Sequence, residues 1–311
     1  MSEGIEGLFA RTEDFPNSHA AGRLAELVGL DEIMERLVAD ATILLDPTVM
    51  TAWSTEVHGD VVPAVTALLD RTPLFVFAGD VGVGKTEVAE VLGQAIAIHS
   101  GADVTLYPLS LTARGRGAVG EMTMLLTRAF DVVNREYARA RGRDGRADSM
   151  GVLLIDEADA LAQSRELAQM HHEDRAGVNA VLRGIDNMRV AKLPVLTILC
   201  TNRLDALDPA IQRRAAAIEL FDRPTHEQRA ALLRRLLAGT ALTWADIDAL
   251  AAATGESNST SHSFTYSDLR QRLVPEIVLA AYRSKAKIDM VLALDVLART
   301  PATRAFVATG S

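Results

Sequence analysis

The octapeptide Gly79-Asp80-Val81-Gly82-Val83-Gly84-Lys85-Thr86 fits the pattern G-x-x-x-x-G-K-[ST]. It stands between the apolar run Leu74-Phe75-Val76-Phe77-Ala78 and a helical pattern from Glu87 to Ile98. A near-continuous apolar run of this length suits a strand buried on both faces. Glycines in the turn that follows let backbone N–H groups point inward around phosphate oxygens, and the start of the helix adds a dipole favourable to negative charge. In this arrangement Lys85 meets the β- and γ-phosphates of a nucleoside triphosphate, and Thr86 places its hydroxyl on Mg²⁺. The chain must therefore deliver a buried strand to the N-terminus of a helix, which confines it to α/β folds built on a parallel sheet.

The remainder of the chain agrees. Strand candidates recur at Val104 to Leu109, Val152 to Ile155, Val195 to Cys200 and Ala217 to Phe221, separated by helical patterns at Glu121 to Arg139 and Gly177 to Met188. Strands alternating with helices imply a parallel sheet, here of five strands, covered on both faces. Past Pro224 the pattern is helical only, through Thr225 to Leu237, Thr243 to Ala253, Ser267 to Arg283 and Ile288 to Leu297. The expected organisation is a flexible tail over residues 1–22, a nucleotide-binding α/β domain over 23–223 and a small all-helical lid over 224–311. A length of 311 residues suits one large core with a satellite.

Composition excludes more than it assigns. No stretch of roughly 18 apolar residues runs without charge, so a membrane-spanning helix is not expected. The first residues are acidic and lack a basic segment before a long apolar one, so the expected location is the cytoplasm. The single cysteine, Cys200, lies in an apolar run and reads as a small buried hydrophobe. Acidic residues outnumber Lys and Arg 41 to 32. That balance disfavours non-specific nucleic-acid binding by the whole molecule and leaves a local basic patch open.

Two further strand ends carry chemistry. Val152-Leu153-Leu154-Ile155 delivers Asp156 and Glu157 to the C-terminal end of a strand, where open α/β sheets bind ligands. Asp156 is the expected partner of the Mg²⁺ shell, and Glu157 the general base that polarises the attacking water. The strand Val195 to Cys200 ends in Thr201-Asn202, and the neutral amide of Asn202 can donate to the γ-phosphate. A nucleotide-gated scaffold that never turns over would not need Glu157.

With Leu207-Asp208-Pro209-Ala210-Ile211-Gln212-Arg213-Arg214 added, the order of motifs resembles the AAA+ ATPases from about Arg23 onward. The resemblance implies ATP and Mg²⁺ as cofactors, a nucleotide held between subunits of a homo-oligomeric, hexameric ring, and an arginine finger at Arg213 or Arg214, of which Arg214 is favoured. Such a finger contributes about 10³ to 10⁵ in rate. It also implies that Val28 and Gly29 lie against the adenine, and that Arg270 or Arg272 acts as a second sensor of phosphate.

The run Asp174 to Asp186 is similar to the corresponding helix of the pachytene-checkpoint ATPases that remodel HORMA-domain proteins, whose bacterial relatives accompany cyclic-nucleotide anti-phage (CBASS) systems. The resemblance thus implies a HORMA-domain protein as partner. One departure concerns the first pore loop, Thr112 to Ala118, which has Arg114 and Arg116 where the family places an aromatic. A nucleic-acid motor or loader of the same fold is the alternative that these arginines keep open. The second pore-facing loop is expected within Gln163 to Glu173, with His171 and His172 as exposed loop residues. The basic run Arg135 to Arg146 reads as a solvated helix end.

Overall fold

Apolar runs too uniform to alternate between two faces become the interior strands of one sheet. The computed structural model of the chain describes residues 7–9, 11–111, 120–142, 145–161, 171–256 and 262–305, with the backbone alone for residues 171–175. The strands are β1 (Glu13–Phe15), β2 (Leu74–Gly79), β3 (Asp103–Ser110), β4 (Ser149–Asp156), β5 (Val195–Thr201) and β6 (Ala217–Phe221). They are arranged in the order β1-β3-β4-β5-β2-β6. Parallel pairing runs through β3, β4, β5 and β2, with Leu109 opposite Ile155, Ile155 opposite Leu199 and Leu74 opposite Thr197. Every residue of β5 is buried, as are the first five of β2.

The expectation of five strands is corrected to six. The extra strand, β1, pairs antiparallel at the edge of the sheet, Glu13 opposite Leu106 and Phe15 opposite Val104. Within the flexible tail expected over residues 1–22, the described residues carry β1 and, from Ser18, the start of a helix. Phe15 packs its ring against Gly93, where an added Cβ would stand 2.6 Å from it. Phe9 meets Tyr107 edge to face at 5.3 Å between centroids. A short segment with a few aromatics carries no periodic signal, so only its partners reveal it.

Connecting helices follow the chain as α1 (Ser18–Ala25), α2 (Asp31–Leu45), α3 (Thr48–His58), α4 (Pro63–Leu69), α5 (Lys85–Ser100), α6 (Glu121–Tyr137), α7 (His171–Val190) and α8 (Pro209–Arg214). Asn17 caps α1, accepting from Ala20 N–H at 2.7 Å. Arg23 ties α1 to α5 through Glu87 at 2.9 Å and Glu90 at 2.5 Å. In the basic run expected to be solvated, Arg141 instead donates to the carbonyls of Leu45, Gly145 and Lys192. Its burial pulls the guanidinium below its ordinary value, against the pull of Asp46.

The chain divides into two compact units: one running to Leu27 and then over Asp31–Ala78 and Thr86–Leu220, the other made of Val28–Leu30, Gly79–Lys85 and the chain from Phe221 onward. A boundary drawn along the sequence near residue 223 cannot register the two short segments, which join the second unit through contacts. That unit contains α9 (His226–Leu236), α10 (Trp244–Ala253), α11 (Val274–Ser284) and α12 (Met290–Arg299). Capping boxes at Thr225 with Gln228 and Thr243 with Asp246 start the first two. Leu233, Leu250, Phe264, Leu269, Leu273 and Ile277 fill its core. A π-helical turn over Asp268–Leu273 precedes α11, whose Pro275 has no N–H to offer the preceding turn.

Gly184 of α7 faces the Phe130 ring of α6, and a Cβ there would stand 2.2 Å from Cγ of the ring. Because the ring base cannot swing away, Gly184→Ala is expected to lower stability by about 1 to 3 kcal/mol. Thermal unfolding measures it, and an unchanged Tm would contradict this packing.

Candidate nucleotide site

In the second unit the loop after β2 is fastened by contacts within the chain. Gly82 has φ +79 and comes so close to the lid residues Thr265 and Ser267 that a Cβ would stand 2.8 Å from each. Ser267 N–H donates to the Gly82 carbonyl at 3.1 Å. Lys85 is buried, 7% exposed, with its ammonium donating to the carbonyls of Gly79 at 2.9 Å and Asp80 at 2.6 Å. Buried charge of this kind persists only when hydrogen-bonded.

Asp80 carries a second fastening. One carboxylate oxygen accepts Val81 N–H at 2.8 Å, and the other accepts both Nε and Nη2 of Arg223, at 2.9 Å and 2.5 Å. Arg223 also donates to the carbonyls of Ser263 and Thr303, at 2.5 Å and 2.8 Å. Thr303 is bound in turn to Asp268, through its N–H at 3.1 Å and its hydroxyl at 2.6 Å. Burial pushes the Asp268 carboxyl upward, but hydrogen bonds from Thr303, from the Thr265 and Thr303 N–H groups and from Arg272 outweigh it and hold the group below its ordinary value.

In the first unit the C-terminal ends of β3, β4 and β5 gather the polar groups. Thr86, the second residue of α5, donates to Asp156 at 3.0 Å. The other Asp156 oxygen accepts Glu157 N–H at 2.8 Å. Glu157 adopts a left-handed backbone with φ +57, a conformation that costs a non-glycine residue about 1 to 3 kcal/mol. Its carboxylate accepts the Ser110 hydroxyl at 3.0 Å from the end of the neighbouring strand. Asn202 follows β5, and its side-chain amide donates to Asp159 at 2.9 Å.

The remaining candidates separate by what they touch. Arg214 pairs with Asp186 through Nε at 3.3 Å and Nη2 at 3.4 Å, whereas the neighbouring Arg213 is exposed. Arg272 is paired with Asp268 at 2.8 Å and Thr303 at 3.2 Å, while Arg270 is exposed on the same turn. Within the second unit the Val28 carbonyl accepts Tyr266 Oη at 3.0 Å and the Gly29 carbonyl accepts Gln228 Nε2 at 2.6 Å. Gly29, at φ +68, would place a Cβ 2.5 Å from Gln228 Cγ, so only glycine fits. The loop Thr112 to Ala118, with Arg114 and Arg116, lies outside the described residues, as do residues 163–170 and the side chains of His171 and His172. Cys200 is free and buried.

A family model described as "ATPase family associated with various cellular activities (AAA)" matches residues 75–223. CD-NTase-associated protein 6 of Escherichia coli (strain MS 115-1) is 49% identical over 307 residues, covering 99% of this chain and 98% of that protein. The chain belongs to the AAA ATPase family. Among solved structures, one described as the E. coli MS115-1 HORMA:CdnC:Trip13 complex matches at 48% identity and a TM-score of 0.87, over 96% of this chain and 97% of the other. Rhizobiales Trip13 matches at 39% identity and a TM-score of 0.73, over 95% and 99%.

As an AAA ATPase the chain binds nucleotide and hydrolyses ATP. Among its described residues no helix is long and apolar enough to cross a membrane. Sequence reasoning passed over Ser110, Asp159 and Arg223, whose weight comes from partners 47, 43 and 143 positions away. The one available signal was Asp159 itself, two places beyond Glu157.

Arg223→Ala leaves the Asp80 carboxylate largely buried without the Arg223 guanidinium and is expected to destabilise by about 3 kcal/mol or more. Asp80→Ala in the same chain should recover part of that loss, because removing both partners costs less than removing one. Chemical denaturation of the two variants decides it; a double variant no more stable than Arg223→Ala would refute the pairing.

Proposed function

We propose that this chain forms a hexameric, cytoplasmic ring that uses ATP hydrolysis to remodel a HORMA-domain protein in a bacterial cyclic-nucleotide anti-phage system. The observation that carries the reading is end-to-end likeness: 49% identity across 99% of the chain to CD-NTase-associated protein 6, and a TM-score of 0.87 to a chain from a structure described as a HORMA:CdnC:Trip13 complex. Residues 23–223 serve as the nucleotide-binding domain and 224–311 as the lid.

The residues of each unit fit the parts that hydrolysis needs. The backbone of Gly79, Asp80, Val81, Gly82, Val83 and Gly84 cradles phosphates, with Lys85 at their β- and γ-oxygens. Thr86 and Asp156, 3.0 Å apart, are hard oxygen donors of the kind Mg²⁺ takes, one carboxylate being enough when phosphates complete the shell. Bound Mg²⁺ neutralises developing phosphate charge. Glu157, oriented by Ser110, accepts a proton from the attacking water, and Asn202 donates to the γ-phosphate. Val28 and Gly29 contact the base, and Arg270 or Arg272 acts as the second sensor.

Turnover and nucleotide affinity separate these parts. Lys85→Ala is expected to lose ATP binding, whereas Glu157→Gln binds ATP, abolishes release of phosphate and retains the protein partner in a pull-down. Equal phosphate release by wild type and Glu157→Gln would leave only a nucleotide-gated scaffold. Stimulation by DNA, with no effect of any HORMA-domain protein, would favour the nucleic-acid alternative that Arg114 and Arg116 keep open.

The finger is assigned to Arg214, which exchanges Asp186 of its own chain for the neighbour's nucleotide. Arg214→Ala should keep ATP affinity and lose about 10³ in turnover, with Arg213→Ala near wild type. The opposite ranking in a steady-state assay moves the finger to Arg213.

A further inference from the structure

Asp159 lies two residues beyond Glu157, in a 3₁₀ turn over Ala158–Leu161, and its carboxylate gathers the turn that follows β5. One oxygen accepts the backbone N–H of Asn202 at 2.9 Å and of Arg203 at 3.2 Å, together with the Thr201 hydroxyl. The other accepts the side-chain Nδ2 of Asn202 at 2.9 Å. An anionic oxygen there admits a donor only, so the amide of Asn202 is fixed in one of its two flip states.

That choice has a chemical consequence. The terminal torsion of an asparagine is broad and close to two-fold, so an untethered amide presents either N–H or C=O with similar ease. Toward a phosphate oxygen these are opposite: the N–H stabilises negative charge and the C=O repels it. A planar amide with one Nδ2 hydrogen on Asp159 has its second hydrogen aimed along a set direction. We propose that Asp159 is a positioning residue for ATP hydrolysis, which locks Asn202 with its N–H rather than its C=O toward the γ-phosphate and ties the acidic strand end to the Thr201–Arg203 turn. The proposal rests on the reading of Asn202 as a γ-phosphate donor.

The test uses the full chain in four forms: wild type, Asp159→Ala, Asn202→Ala and the double variant, each assayed for kcat, KM and affinity for a fluorescent ATP analogue. Asp159→Ala is expected to lower kcat by about 100-fold, the scale of a displaced catalytic contact, while affinity for the analogue is retained. The double variant should be no slower than Asn202→Ala alone, because two residues acting through one contact do not multiply their losses. Losses that multiply, wild-type turnover in Asp159→Ala, or analogue affinity falling in step with kcat would each overturn the positioning role. Should Asp159→Ala fail to fold by circular dichroism, Asp159→Asn replaces it. That variant keeps an acceptor for the backbone N–H groups but turns an NH₂ toward the Asn202 amide, so full activity in it also overturns the proposal. Asn202→Ala turning over at the wild-type rate overturns the Asn202 reading itself. Slow Asn202→Ala beside fast Asp159→Ala overturns the positioning role alone.

Discussion

A parallel sheet buried on both faces leaves polar chemistry nowhere to go except its ends. Along β2, β4 and β5 almost every side chain is shut off from water, so a charge within them would be desolvated without a partner. Asp156, Glu157 and Asn202 all stand where such strands stop. The hydrophobic register that aligns Leu109 with Ile155 and Ile155 with Leu199 also brings Ser110 beside Asp156 and the strand ends into one line. Packing and the placement of these polar groups are therefore set by the same constraint.

At those ends each functional group is held by a second one. Thr86 holds Asp156, Ser110 holds Glu157, and Asp159 holds Asn202. The left-handed backbone of Glu157 is a local cost that the surrounding hydrogen bonds offset. Such tethers matter because charge stabilisation in a transition state depends on donors and acceptors already pointing the right way.

The second unit is organised by a chain of ionic and hydrogen-bonded contacts rather than by its helices alone. Asp80 of the glycine-rich loop after β2, Arg223, Thr303, Asp268 and Arg272 follow one another without interruption. Tyr266 and Gln228 pin Val28 and Gly29 to the same unit. These contacts run from the loop after β2 to Thr303, near the last described residues.

The local patterns by themselves determined the α/β class, the glycine-rich turn between strand and helix, the acidic pair at a strand end and the helical end of the chain. Each is written in neighbouring residues: glycines and a lysine in one turn, an apolar run ending in Asp156-Glu157, helical periodicity after Pro224. Tertiary structure alone decided that Glu13–Phe15 is an edge strand, that Arg223 clamps Asp80, that Arg214 pairs with Asp186 while Arg213 is exposed, and that Asp159 accepts the Asn202 amide. The Asp159–Asn202 and Arg223–Asp80 contacts span 43 and 143 positions of chain, a matter of packing in three dimensions that no local spacing encodes.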